Sequence, residues 1–246
     1  VYVPEFAILG APFLVDNRFD ARTLVLSPIF DEMALKLASQ ARLQVLSFNW
    51  WQGERHVLAQ KAVHNPSDLS GIRMRTIGAP VFIETIKSLG ATPTPLAWAE
   101  VYPALSQGVI DGAEAQHQAT YSSKLFEVIS DISKTGHIHL MTGIVVGDEW
   151  FRRLPVDLQS LVKEVAIEAG DLASDIAAAR TQEFEQKMVA AGVNIHTIDK
   201  DPFREASVSV YQTLGLSSLR EQMHAYLKEG ESNRSVNTSD MGERNE

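Results

Sequence analysis

Three side chains with ligand-binding chemistry lie at or just after predicted strand ends: Arg75, Trp98 and Glu114. The guanidinium of arginine is planar and always charged, and it can bind a carboxylate through two parallel hydrogen bonds. In α/β units, ligands gather at the carboxyl ends of the strands. The residue types alone leave two interpretations open, because such an arginine can also be a structural charge and a tryptophan can be core packing.

A framework of alternating strands and helices must position these side chains, and the local pattern predicts one. Arg73 and Arg75 fall on one face of a strand, because residues 72–77 alternate with a period of two. Pro80 suits the first turn of a helix and Gly90 its left-handed end. The predicted order is a strand at 72–77, a helix at 80–89, a strand at 91–96, a helix at 98–107 and a strand at 109–113. This order predicts a parallel α/β unit.

The same stretch resembles a known family. Residues 68–114 read DLSGIRMRTIGAPVFIETIKSLGATPTPLAWAEVYPALSQGVIDGAE. This pattern resembles the solute-binding proteins of TRAP (tripartite ATP-independent periplasmic) transporters, of the C4-dicarboxylate-binding type. The resemblance reaches back to Val3-Pro4-Glu5-Phe6 and Pro12-Phe13-Leu14, and it continues weakly to about Leu227.

The resemblance assigns roles to particular residues. It implies that Arg75 forms the principal salt bridge to a ligand carboxylate and that Trp98 walls the pocket. It also implies that Arg55 lies near the ligand, whereas the position of Arg73 is variable and is expected at the surface.

The segment that follows Glu114 departs from the family pattern. Many members have an asparagine that binds the ligand at the next position, where this chain has Ala115. Gln116 or His117 is therefore expected to supply that hydrogen bond. Some keto-acid binders hold a metal ion here with a glutamate followed by tryptophan, and Ala115 does not fit that pattern. No metal and no cofactor are expected.

The resemblance also implies the architecture, a two-lobed α/β solute-binding fold of type II-like form. Lobe I is predicted at 1–52 with 144–198, and lobe II at 53–143 with 199–228. A helix from Pro155 to Ala191 would bridge the lobes, with an interruption near Gly170 as the alternative. Residues 1–20 are read as an extended segment followed by a turn around Asp16-Asn17, and 229–246 as a disordered tail. Family members have two further βα units before the matched segment, so an incomplete amino-terminal lobe is expected.

Composition excludes several other classes of protein. Hydrophobic residues make up 45% of the 246 residues and charged residues 22%, as in ordinary globular proteins. A net charge of −9 and the lack of a basic stripe argue against nucleic-acid binding. The absence of cysteine excludes disulfides and thiolate chemistry. No apolar run reaches the length of a membrane span, and no catalytic or nucleotide-binding motif occurs.

The sequence is thus interpreted as the extracytoplasmic, periplasmic solute-binding subunit of a TRAP transporter. Its expected partners are a small organic acid and the membrane permease, and no enzymatic activity is expected. One alternative is a periplasmic-type ligand sensor domain. A second alternative, from another class, is a metabolic enzyme on an α/β scaffold, which turnover of the bound acid would reveal.

Overall fold

A computed structural model describes the backbone of residues 2–242 and the side chains of residues 2–230. Its centre is a mixed six-stranded sheet in the order β3-β2-β4-β1-β5-β6. The strands are β1 (Leu43–Ala59), β2 (Arg73–Thr76), β3 (Thr92–Pro95), β4 (Gly112–Ala115), β5 (Asp131–Gly147) and β6 (Asn194–His196). The two long strands β1 and β5 are neighbours in the sheet and run antiparallel along most of their length.

Nine helices of the described residues surround this sheet. They are α1 (Arg18–Val25), α2 (Pro28–Ala41), α3 (Pro80–Ser88), α4 (Val101–Ser106), α5 (His117–Ser122), α6 (Asp148–Arg152), α7 (Val156–Ala190), α8 (Asp201–Thr213) and α9 (Ser217–Gly242). Short 3₁₀ helices occur at Pro4–Gly10, Pro66–Leu69, Trp98–Glu100 and Leu125–Glu127. Within residues 2–242, every helix is too short or too polar to cross a bilayer.

The predicted parallel α/β unit is confirmed. Strand β2 pairs in parallel with β3 on one side and with β4 on the other. Pro80 opens α3, and Gly90 takes a φ of 97°, the left-handed conformation expected after the helix. The last strand is shifted to Gly112–Ala115, because 107–111 form a turn in which the amide of Asp111 donates to the carbonyl of Arg73.

Strand β1 is longer than the sequence indicated. It continues past Trp50 to Ala59, through the polar segment 53–56 where the chain was expected to cross between lobes. Irregular pairing with β5 accommodates this segment, and Gly53 adopts a φ of 114° within it. A strand can contain these polar side chains because they face partners on neighbouring strands instead of an apolar core.

One prediction for the chain ends was wrong. Residues 4–10 form a 3₁₀ helix instead of an extended segment, with Pro4 in its first turn. At the other end, α9 extends as far as Gly242, and 243–246 lie outside the described residues. The disordered tail predicted at 229–246 stays a prediction.

The predicted lobe boundaries stay a prediction, and several contacts cross them, of which two are examples. Strand β6, assigned to lobe I, pairs with the start of β5, assigned to lobe II. Tyr211, assigned to lobe II, donates a 2.7 Å hydrogen bond to the carbonyl of Pro12 in lobe I.

The long helix α7 is continuous, as predicted, and it is not interrupted at Gly170. Instead, Gly170 lets the helix approach β1 closely at Asn49. The Asn49 amide donates 2.8 Å hydrogen bonds to the carbonyl of Ile167 and to Asp171. Ser174 Oγ, one turn further along the helix, donates to the carbonyl of Asn49 over 2.9 Å. The glycine is therefore required by packing and not by a bend.

Substituting Gly170→Ala is expected to destabilise the protein although alanine favours helices. A Cβ at this position would lie 2.6 Å from Asn49 Oδ1, and the hydrogen-bonded amide cannot move without breaking its contacts. Overpacking of this kind costs about 1–3 kcal/mol. The matched control is Gly230→Ala in α9, where a Cβ meets no atom within 4 Å and should stabilise. Urea unfolding of the two variants gives the comparison, and equal stability changes would contradict it.

Candidate functional site

Two arginines are buried side by side where β1, β2 and β4 meet. Arg55 on β1 is 3% exposed and Arg75 on β2 is 4% exposed. Strand β4 lies between β1 and β2 and pairs with both. Arginine is almost never buried to this degree unless its charge has a partner, so each guanidinium is expected to have a charged or hydrogen-bonding partner.

Arg55 is already paired. Its Nε bonds to the carboxylate of Glu114 on β4, which is 1% exposed, and its Nη2 donates to the Glu114 carbonyl over 2.8 Å. Its Nη1 donates to Gln116 Oε1 over 3.3 Å. Burial, the largest single influence, raises the pKa of the Glu114 carboxyl, but the charge and hydrogen bond of Arg55 together with the nearby His137 outweigh it and lower the pKa, so the pair is ionic.

Arg75 has no carboxylate partner within 4 Å among the described residues. Its Nε and Nη2 both donate to the carbonyl of Leu96, over 3.0 and 2.9 Å. Burial lowers the pKa of Arg75, and the neighbouring charge of Arg55 lowers it further against the attraction of Glu114. Two buried guanidinium groups are thus balanced by one buried carboxylate, which leaves one excess positive charge. Such a site favours an anion.

Aromatic rings lie against both cations. The Arg75 guanidinium carbon is 5.2 Å from the centre of the Trp98 ring, whose Nε1 donates to Ser123 Oγ over 3.0 Å. The corresponding distance from Arg55 to the Phe82 ring is 5.8 Å. Trp98 remains 37% exposed, so its ring forms a partly open wall next to Arg75 and is not core packing.

The two candidates for the missing asparagine contact point in different directions. Gln116 reaches Arg55, whereas His117 turns away from both arginines. The His117 Nε2 lies 3.0 Å from Glu185 Oε1, and its ring centre is 4.6 Å from that of His56. Of these two residues, only Gln116 contacts one of the arginines. A hydrogen bond from Gln116 to a ligand remains a prediction.

Arg73 lies outside this cluster, as expected for a surface residue. Its side chain is 48% exposed and forms two hydrogen bonds of 2.8 Å with Asp111. Those bonds lower the pKa of Asp111 to about 2. Arg73 and Arg75 lie on the same strand face by periodicity. Their neighbours differ, however, so Arg73 forms a surface ion pair whereas Arg75 is a buried cation.

Sequence analysis missed two residues of the cluster. They are Phe82 on α3 and His137 on β5. His137 is fully buried, with its Nε2 3.8 Å from Glu114 Oε2. That separation is too long for a hydrogen bond, and neither His137 Nε2 nor Glu114 Oε1 has a partner among the described residues. Only the pairing of β5 with β1 brings His137 here, so no local signal could reveal it.

In the part of the chain that the structure describes, no three histidine or acidic side chains converge as metal ligands would. The expectation that the protein needs no metal stays a prediction.

Comparison with known proteins places this geometry in context. The family model described as bacterial extracellular solute-binding protein, family 7, matches residues 1–217. A TRAP periplasmic solute-binding protein of Escherichia fergusonii, solved in an apo open form, is 42% identical with a TM-score of 0.86. The alignment covers 92% of this chain and 76% of that protein.

Two further relatives have stated ligands. A TRAP periplasmic solute-binding protein from Ochrobacterium anthropi, solved with bound L-fuconate, is 30% identical with a TM-score of 0.84, covering 92% of this chain and 75% of that one. The 2,3-diketo-L-gulonate-binding periplasmic protein of Escherichia coli K12 is 31% identical, over 82% of this chain and 62% of its own length. Across the curated relatives compared, the chain spans 41% to 63% of their length.

Proposed function

Because the chain belongs to family 7 of the bacterial extracellular solute-binding proteins, we propose that it captures a small organic anion through a carboxylate at Arg75. The protein would act in the periplasm and deliver the solute to a TRAP membrane permease, without a covalent step. The observation that carries the proposal is the excess positive charge at Arg75, which is 4% exposed and whose hydrogen bonds among the described residues go to one backbone carbonyl, that of Leu96.

The neighbouring residues support distinct parts of this proposal. Glu114 neutralises Arg55 and keeps that guanidinium from competing fully for the ligand. Trp98 supplies an apolar, partly open wall on which the carbon skeleton of a solute can pack. Gln116 holds its amide oxygen on Arg55, which leaves its amide hydrogens to donate to the solute.

Sugar acids are the class of solute that we propose first. Solved relatives at least 25% identical to this chain contain L-fuconate, L-galactonate, D-glucuronate and β-D-galacturonate. Each of these ligands combines one carboxylate with several hydroxyl groups, which fits one free guanidinium beside an aromatic wall and an amide.

Thermal unfolding with paired ligands tests the proposal. A sugar acid should raise the melting temperature, because a ligand present at a hundred times its Kd stabilises the native state by about 2.7 kcal/mol. D-glucuronate should be compared with D-glucose, and L-fuconate with L-fucitol, since in each pair a primary alcohol replaces the carboxylate. The acid should be recovered unchanged. Stabilisation by the neutral compounds alone, or turnover of the acid, would contradict the proposed function.

A further inference from the structure

A cavity of about 70 Å³ borders Gln116, and neither Arg55 nor Arg75 is among its lining residues. Its walls come from β1, the start of α5, β5 and the long helix α7. Charged and titratable groups face it from each of these elements: Glu54, His56, His117, Lys134 and Glu185. The proposed carboxylate site makes no direct use of this cluster.

Glu185 is the group that connects these walls. Its Oε1 accepts a 2.7 Å hydrogen bond from Lys134 Nζ on β5 and lies 3.0 Å from His117 Nε2 at the start of α5. One carboxylate oxygen on α7 therefore contacts two other elements. Its side chain is 23% exposed, so solvent screens these contacts only in part.

The nearest carboxylate on the same helix, that of Glu183, makes no such contacts with other elements among the described residues. Glu183 forms ion pairs with Arg180 and Lys187, both of which belong to α7, and it is 45% exposed. Pairs of that kind add little beyond helix stability. Glu185 instead makes long-range contacts, and one of them holds a histidine that is only 4% exposed.

His117 is joined to the proposed site by a single peptide bond. It follows Gln116, whose amide oxygen accepts from Arg55 Nη1. The ring of His117 also packs against His56, which follows Arg55 on β1. Fixing the His117 ring thus fixes the backbone from which the Gln116 side chain extends.

We propose that Glu185 is a positioning residue for the anion site, acting through His117 to hold the Gln116 amide on Arg55. The inference rests on the proposed function. Without the carboxylate, Lys134 and His117 lose their common partner and the Gln116 segment gains freedom. A ligand must then order that segment on binding, which costs affinity.

The test compares Glu185→Ala and Glu185→Gln with Glu183→Gln as a matched surface control. The first readout is NMR of the Gln116 side-chain amide and the His117 ring in the free protein. Burial lowers the pKa of His117 and Glu185 raises it, so removing the carboxylate should lower that pKa further. The Gln116 signal should shift in Glu185→Ala and stay in place in Glu183→Gln.

The second readout is calorimetry with L-fuconate. Because a ligand must then order the Gln116 segment on binding, Glu185→Ala should weaken binding by about tenfold, which corresponds to about 1.4 kcal/mol. Glu185→Gln, which keeps an acceptor oxygen, should lose less. In a Gln116→Ala background, Glu185→Ala should cause little further loss of affinity, because Glu185 affects binding through Gln116.

Each result has a defined consequence. An unmoved Gln116 signal in both Glu185 variants, or an undiminished loss in the Gln116→Ala background, would overturn the inference. If Glu185→Ala fails to fold, Glu185→Gln carries the same comparison. If the unaltered protein binds none of the sugar acids, the proposed function is wrong, while the Gln116 signal still decides whether Glu185 positions that side chain.

Discussion

Arg75→Ala is expected to weaken binding of the carboxylate ligand by roughly 30-fold to several thousandfold. The substitution would leave the carboxylate desolvated in the site without its cation, which typically costs about 2–5 kcal/mol, and about 1.4 kcal/mol corresponds to tenfold. Arg75→Lys should recover only part of the loss, because an ammonium group lacks the two-pronged geometry of a guanidinium. Calorimetry with the acid that gives the largest thermal shift measures all of these effects.

The natural control for this experiment is Arg73→Ala. Arg73 is on the same strand face, but it is 48% exposed and its charge is already engaged by Asp111. Its removal should leave the affinity nearly unchanged. Normal binding by Arg75→Ala together with failure of Arg73→Ala would show that the wrong arginine is assigned. If both variants bind normally, the carboxylate contacts neither residue.

Glu114→Gln is expected to cause the largest loss of stability among the site variants. Glutamine has the shape of glutamate, but it leaves the buried Arg55 guanidinium without a counter-charge. Removing one partner of a buried pair costs about 3–5 kcal/mol, a large fraction of the stability of a typical domain. Urea unfolding should show the loss as a lower midpoint with an unchanged m-value.

Two companion variants separate this explanation from general damage to the sheet. Asp111→Asn breaks the exposed pair with Arg73 and should cost far less, because solvent already screens those charges. The double variant Arg55→Met with Glu114→Leu removes both charges and should be more stable than Glu114→Gln. If the double variant is the less stable of the two, packing and not the unpaired charge controls stability at this site.

The sequence by itself determined the elements around Arg75. The alternation at 72–77, Pro80 and Gly90 are local signals, and each corresponds to a feature of β2 or α3 in the structure. The long helix α7 could also be predicted from the sequence, because its start and end residues and its apolar period lie within one segment. Local backbone preference and side-chain period act over a few residues, so they can be recognised without knowledge of the rest of the fold.

Tertiary structure alone decided which side chains meet. Arg55 and Glu114 are 59 positions apart and pair only because β1 and β4 are neighbours in the sheet. The register of β5 against β1 brings His137 to the same place, and the packing of α7 turns His117 towards Glu185. Strand neighbours, register and helix packing depend on burial summed over the whole chain, and a shift of one residue would send each side chain to the opposite face. The sequence therefore predicted an arginine as the anion-binding residue, but the charge balance that leaves Arg75 without a carboxylate partner among the described residues exists only in the assembled sheet.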